Sequence, residues 1–454
     1  MEFDQKHAEI RCPDPPTTYN SVREAGTYLL QSIGSDDKLA RFTIIGFNPI
    51  FEVKITDEGA ELSGEIAGEI QKPKGATTIE TIREISKQLK CGTKIDAQFP
   101  GGLVGYVGYD IIRESVKLPN KKLDFPKAHL VLCKNNIIYD HHTKKTILTD
   151  LTTNGESDFE EITKDIFIGK PTPADCTAKK FSSNQTQEKF ISAVEKAKHH
   201  IREGDIFQAV LSQRFSGEYA GDPFSAYTKL LEINPSPYMY YLDFGETHIA
   251  GSSPETLVRV EGKKTYTYPI AGTRRRGKDK AEDDKLEKNM RGDEKERAEH
   301  LMLVDLGRND LGKVCEYGSV KVSKFMQTEY FSHVMHLSSE VEGVLNEDKD
   351  ALDALDTVFP AGTVSGAPKV RAMEIIDELE PDARGIYAGC VGYIGFNGNL
   401  DTAITIRTIV FHKGIAHVQA GAGIVADSKP ELEYKETKNK ARGMLKTLGA
   451  EAEE

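Results

Sequence analysis

Two Glu-x-x-Glu pairs, Glu296/Glu299 and Glu433/Glu436, constrain this chain more than any other feature. Both lie in stretches with helical periodicity. Residues three apart share a helix face, so each pair presents two carboxylates side by side. Most such pairs belong to solvated faces, but the flanks here are wrong for that. Glu299 runs straight into His300-Leu301-Met302-Leu303-Val304-Asp305-Leu306, too apolar for a free surface. The second pair follows Gln419-Ala420-Gly421-Ala422-Gly423, a glycine-rich loop of anion-binding type. If the two helices face each other, four carboxylates converge, which is unfavourable unless a hard divalent cation such as Mg2+ offsets it. The expectation is a metal-assisted site between helices drawn from distant parts of the chain.

The rest of the pattern suits an antiparallel scaffold for those helices. Up to about residue 150, short strands such as Arg41–Phe47, Phe51–Ile55 and His129–Cys133 are punctuated by turns. A helix is expected over Thr78–Lys90, where Ile79, Ile82, Ile85 and Leu89 recur at helical spacing. Gly101–Asp110 reads as a glycine-spaced strand approached closely by another backbone. Residues 169–184 are rich in Pro, Thr, Ser and Lys and read as an exposed linker, dividing an N-terminal region (1–168) from a second region (185–450). An amphipathic helix follows, with Phe190, Val194, Ala197 and Ile201 on one face and Gly204 as its stop. Asp401–Gln419 reads as a hairpin turning at His412-Lys413-Gly414, and a last helix covers about Lys429–Leu448. Hairpin-linked strands with helices apart from them predict an α+β fold, antiparallel sheets packed as a sandwich with helices outside.

Composition removes several functional classes. A net charge of −12 with no long basic stripe argues against nucleic acid as a ligand. Six cysteines lack any C-x-x-C spacing, as expected of reduced cytosolic thiols. The charged N-terminus does not read as a signal peptide, and no apolar run reaches membrane-spanning length, so a soluble cytoplasmic protein is expected. A glutaminase would need an exposed nucleophilic cysteine near a histidine; Cys390, in an apolar strand-like run, has no such setting.

The candidate site residues each have a plainer reading. Asp293 precedes Glu296 at capping-box spacing, so Glu296 either reaches back to its helix start or serves the site. Ser428 and Glu431 make a second capping pair, leaving Glu433 and Glu436 without a structural task. A strand over Asp401–Phe411 places Arg407 in a row with Ala403, Thr405 and Ile409, which requires an anion; a protein carboxylate and a substrate carboxylate stand level. Gly421 and Gly423 allow backbone N–H groups to meet an anion at the start of the last helix. With Arg407 and Lys440 they describe a site for a dicarboxylate. His336 on a strand, and Thr363 and Ser365 in a Gly- and Pro-dense turn, read first as structural and as helix caps.

Five segments then carry a family resemblance: Asp205–Ser212, Pro269–Arg274, Glu299–Leu306, Gly362–Lys369 and Gln419–Asp427. With Tyr28–Ser32 and Gly101–Tyr106, they resemble the component I family of anthranilate synthases, within the chorismate-utilising enzymes, over nearly the whole chain. The resemblance implies that chorismate and Mg2+ bind between the glutamate-bearing helices. Glu299 and Glu436 match metal positions, with Glu433 beside them. Gly272, Thr273, Tyr387, Arg407, Gly421, Ala422 and Gly423 match chorismate contacts, and Lys440 lies near a substrate carboxylate. Glu296 matches the general acid for the departing C4 hydroxyl; His336 and Thr363 match further active-site positions, the histidine tied to pyruvate elimination. Gln208 stands where water-using relatives carry a lysine, and Ala271 where aminodeoxychorismate synthases carry a nucleophilic lysine, which implies ammonia as nucleophile. The resemblance also implies a separate glutamine amidotransferase subunit in a hetero-oligomer. It further implies feedback by tryptophan at Ser32, Pro237, Tyr238 and Met239. Two departures stand out. Gln31 replaces the family's usual glutamate, and Thr273-Arg-Arg-Arg-Gly277 replaces its usual Thr-Arg-Pro-Arg-Gly.

Overall fold

The computed structural model describes residues 1–33, 41–74, 76–92, 95, 97–119, 121–153, 155–330 and 334–450. Its strands join into one extended network, antiparallel throughout the described residues except where Glu2–Glu9 meets Lys90–Cys91. The backbone of the network is Phe42–Thr56 against Ala128–Asp140. Gly102–Val107 then bridges Ala128–Asp140 to Cys390–Gly395, and Thr27–Gln31 pairs with Tyr238–Asp243. Strands from both sides of residues 169–184 therefore share one sheet. That segment is itself docked: Thr177–Ala178 and Ser182–Ser183 pair with Gln208–Ala220, and Cys176 and Phe181 are buried.

Side-chain alternation sorts the strands into layers. On Ala128–Asp140, Leu130 and Leu132 face one core while Val131 and Cys133 face another; Leu103 and Val104 divide the same way. The inner core, with Tyr28, Tyr240, Leu242, Ile249 and Tyr393, lies between sheet surfaces. The outer cores lie under helices. Thr78–Gln88 contributes Ile79, Ile82 and Ile85 to one, and Pro223–Ile233 contributes Phe224, Tyr227 and Leu230 to the other. This is the α+β class that the hairpin pattern predicts. Helix Gln187–Arg202 buries Phe190, Val194 and Ala197, and Gly204 follows it at positive φ, as its spacing predicts. No described helix is long and apolar enough to cross a membrane, and all six cysteines are free thiols.

Two expectations need correction. Residues 401–419 are not one hairpin. Leu400–Ile404 pairs with Cys390–Gly395 and Thr256–Glu261, whereas Thr408–His412 pairs with Ile415–Ile424 around the expected turn. Arg407, at φ 51, sits in the break rather than in a strand row. The last helix, Pro430–Thr447, has Lys429 at its N-cap without a side-chain cap. Ser428 is therefore no cap for Glu431; its hydroxyl accepts from Val425 N and interacts with Glu433 instead.

Candidate active site

Helix Glu294–Gly312 opens with Asp293, whose Oδ1 accepts from Lys295 N at 3.1 Å and Glu296 N at 3.2 Å. Burial of His300, Leu303, Val304 and Leu311 seats it on strands Ile270–Arg275 and Val334–Val344. That leaves Glu296 and Glu299 at the cleft. Helix Pro430–Thr447 buries Thr437, Ala441, Met444 and Leu445, which turns Glu433, Glu436 and Lys440 toward the same cleft. Burial raises the carboxyl of Glu299, and Glu296 and Glu436 raise it further, against Lys295 and Lys440. Glu433 rises through burial and Glu436, with Ser428, Lys295 and Lys440 opposing. Carboxylates from the two helices therefore sense one another. They are hard oxygen donors of the kind Mg2+ takes, and their mutual repulsion is what a cation would relieve. Among the described residues, however, no three such groups are close enough together to hold a metal as they stand.

Glu296 does not complete a capping box. Its Oε1 accepts from Arg274 Nη1 at 2.9 Å, and Arg274 also reaches Asp293. Its Oε2 lies against Gly272, where a Cβ would come within 3.3 Å. Gly272, at φ 63, forms the register shift between Ala271 and Thr273 as their strand pairs with Val334–Val344. Thr273 falls opposite His336, whose Nδ1 lies 3.1 Å from Gly272 O and 3.0 Å from Thr273 Oγ1. A carbonyl only accepts, so Nδ1 carries the proton and Nε2 the lone pair. Burial, reinforced by Arg407, lowers the histidine's pKa and keeps the ring neutral.

Arg407 lies half-buried in the break between two strands. Burial lowers its pKa, while Tyr387 and Glu436 oppose that effect. It has no salt bridge among the described residues, and Glu436 already pairs with Lys440 at 2.7 Å. A half-buried guanidinium without its own carboxylate favours an external anion. Lys440 also donates to Gly421 O at 3.0 Å.

Gly421 and Gly423 are not in a loop. They belong to strand Ile415–Ile424, paired with Ser212 and Val210, and the helix starts only at Pro430. Pairing on the other edge ends at Val418, so alternate N–H groups of 419–423 face the cleft. Gly421 is required for space, since a Cβ there would lie 2.8 Å from Tyr387 Oη and 3.1 Å from Leu211 O; one at Gly423 would meet only the movable end of Gln208, 2.7 Å from Nε2. The Ala422 side chain points the opposite way, into the core. Burial pushes Tyr387 up to about 12, against the pull of Arg384 and Arg407.

Glu255, not among the expected site residues, also lies here. Burial raises its carboxyl to about 7, against the lowering influence of Thr363 and Lys440. It shares a cavity with Thr363, whose buried hydroxyl faces it without forming a well-aligned hydrogen bond. An acidic residue directly after Pro254, between the apolar runs Ile249–Ala250 and Leu257–Val258, was the available signal.

A second cavity lies elsewhere. Gln31, Ser32, Tyr238 and Met239 line it together with Arg259 and Asp401. Pro237 is buried just before Tyr238 and does not line it. Tyr238 Oη donates to Asp401 Oδ1 at 2.8 Å, and the Gln31 amide oxygen accepts from Tyr227 at 3.1 Å.

The model of the family described as chorismate binding enzyme matches residues 28–446. Anthranilate synthase component 1 of Acetivibrio thermocellus is 47% identical over 445 residues, covering 93% of this chain and 90% of that protein. The Bacillus subtilis component 1 is 42% identical, covering 93% and 87%. The crystal structure of component I from Streptococcus pneumoniae superposes with a TM-score of 0.79 at 39% identity, covering 91% and 93%. The menaquinone-specific isochorismate synthase of Escherichia coli shares the fold alone, with a TM-score of 0.76 at 20% identity over 98% and 94%.

Proposed function

The chain belongs to the chorismate-binding enzymes, and from that premise we propose that it is the large component of an anthranilate synthase. It would convert chorismate and ammonia to anthranilate and pyruvate, the entry to tryptophan synthesis. The observation that carries the choice of nucleophile is Gln208, whose amide lies against Gly423 within the cleft. An amide cannot activate water as a lysine would. Ala271, beside Gly272, cannot form a covalent adduct. Aminodeoxychorismate synthase chemistry is thereby disfavoured; an aminodeoxyisochorismate synthase would share the nucleophile and is separated by its non-aromatic product, and the intact set Glu296, Glu299, Glu433 and Glu436 argues against a non-catalytic regulatory role.

Arg407, Lys440 and the cleft-facing N–H groups of 419–423 would take the two substrate carboxylates. Mg2+ would be held by Glu299 and Glu436 with Glu433 beside them; when bound it supplies positive charge to a substrate carboxylate. Ammonia attacks C2 as the C4 hydroxyl leaves. The proton for that hydroxyl is assigned to Glu255, whose carboxyl near 7 populates both forms around neutrality. Glu296, matched to that role by resemblance, is instead engaged by Arg274 and abuts Gly272, which supports a positioning role. The neutral His336, with its acceptor Nε2, is suited to take the C2 proton as pyruvate is eliminated.

Tryptophan would bind at Ser32, Tyr238 and Met239, with the half-buried Asp401 carboxylate in the same cavity. A separate amidotransferase subunit would supply ammonia from glutamine, in a cytoplasmic complex that the six free thiols suit. The test is a comparison of products with and without ammonium. Amination only with ammonium is expected; isochorismate formed from water would contradict the reading.

A further inference from the structure

Arg384 is 3% exposed and takes no part in the chemistry above, yet it reaches three walls of the cleft. Its Nη1 donates to Val364 O at 2.6 Å, in the turn Gly362–Val364 that carries Thr363. Its Nη2 donates to Val210 O at 2.6 Å, two residues beyond Gln208 and opposite Gly423. Its guanidinium lies 5.6 Å from the ring of Tyr387, the residue whose hydroxyl closes over Gly421. Glu380, 6% exposed, receives Nε at 2.9 Å and Nη2 at 2.7 Å. The same carboxylate accepts from Ser212 N at 2.7 Å and Ser212 Oγ at 2.8 Å, and Ser212 is the strand partner of Gly421.

We propose that Arg384, clamped by Glu380, is a positioning residue that fixes Thr363, Tyr387 and the strand of Gln208 at set distances from one another. The inference rests on reading the cleft as the chorismate site. Stability alone is a poor reason for such a pair, because desolvating two ions largely cancels their attraction. A planar fork, by contrast, can serve two carbonyls and a carboxylate in one plane while stacking on a ring. Both carbonyls it uses lie within two residues of a cleft residue, and the carboxylate that clamps it also holds Ser212, the strand partner of Gly421. A lysine would keep the charge but, as a point donor, could not span both carbonyls and the ring.

A double-mutant cycle in the full chain tests this. Anthranilate formation from chorismate, Mg2+ and ammonium is measured for the parent, Arg384→Lys, Thr363→Val and the double variant, with thermal unfolding recorded for each. Arg384→Lys should lose on the order of 10²-fold in kcat through misplacement of groups at the cleft. The double variant should lose at least about threefold less than the product of the two single losses, because part of the Arg384 effect passes through Thr363. Should Arg384→Lys fail to fold, Glu380→Gln, which keeps the shape and loosens the clamp, enters the same cycle under the same criteria. Losses that multiply, or an unchanged kcat, would overturn the positioning role. A parent chain that forms no anthranilate would overturn the chorismate reading, a result distinct from either outcome of the cycle.

Discussion

Replacing Glu255 by glutamine should make the protein more stable and nearly inactive. Its carboxyl rises from an ordinary 4.5 to about 7, chiefly through burial. At about 1.4 kcal/mol per pH unit, this corresponds to about 3 kcal/mol of penalty for the charged form. The sign follows from linkage. Below 4.5 the group is protonated in folded and unfolded chains alike and contributes nothing. As pH rises, the unfolded chain ionises first, so the folded state loses stability until about pH 7, and the loss is constant above that. Glutamine carries no such penalty. Denaturant unfolding at pH 8 should therefore show Glu255→Gln more stable by up to about 3 kcal/mol, and the gain should vanish near pH 4.5. In the same preparation kcat should fall roughly 10²- to 10⁴-fold, because an amide cannot supply the proton. A variant whose gain over the parent is no larger at pH 8 than at pH 4.5, or one that keeps its rate, would refute the assignment of a half-buried, functionally destabilised acid.

Three further outcomes follow from the same geometry. Glu436→Gln should lose nearly all activity with the fold intact, and calorimetry should show weakened Mg2+ binding; near-normal turnover at saturating Mg2+ would count against the metal assignment. The isolated chain should use ammonium at raised pH, where free ammonia is available, and should leave glutamine untouched; anthranilate made from glutamine by this chain alone would contradict the proposal that a separate subunit supplies the ammonia. The chain contains no tryptophan, so the emission of added tryptophan reports its own binding without background. Ser32→Leu should abolish that binding and the inhibition that accompanies it, while equal sensitivity in the variant would remove the pocket.

What the sequence disclosed was local. Carboxylates at Glu296/Glu299 and Glu433/Glu436 share helix faces because three residues nearly complete a turn, and no knowledge of the rest of the fold is needed to see it. The apolar continuation after Glu299 likewise gave away its packed helix. Features set by distant contacts stayed hidden. Arg407 looked like one more residue of an alternating strand, since nothing nearby announces a left-handed residue between two strands with different partners. Gly421 and Gly423 looked like a loop, because glycine is a weak strand former. The need for Gly421 lies in the side chain of Tyr387, remote in sequence. Glu255 was missed for the same cause: only burial beneath segments remote in sequence makes that carboxyl unusual.

The central claim is that this cleft joins ammonia to chorismate and carries the product through to an aromatic ring. Incubating the purified chain with chorismate, Mg2+ and 15N-ammonium and following the mixture by NMR tests it most directly. 15N-anthranilate and pyruvate are expected in equal amounts. Accumulation of a non-aromatic amino product, of the para isomer, or of isochorismate lacking 15N would contradict it.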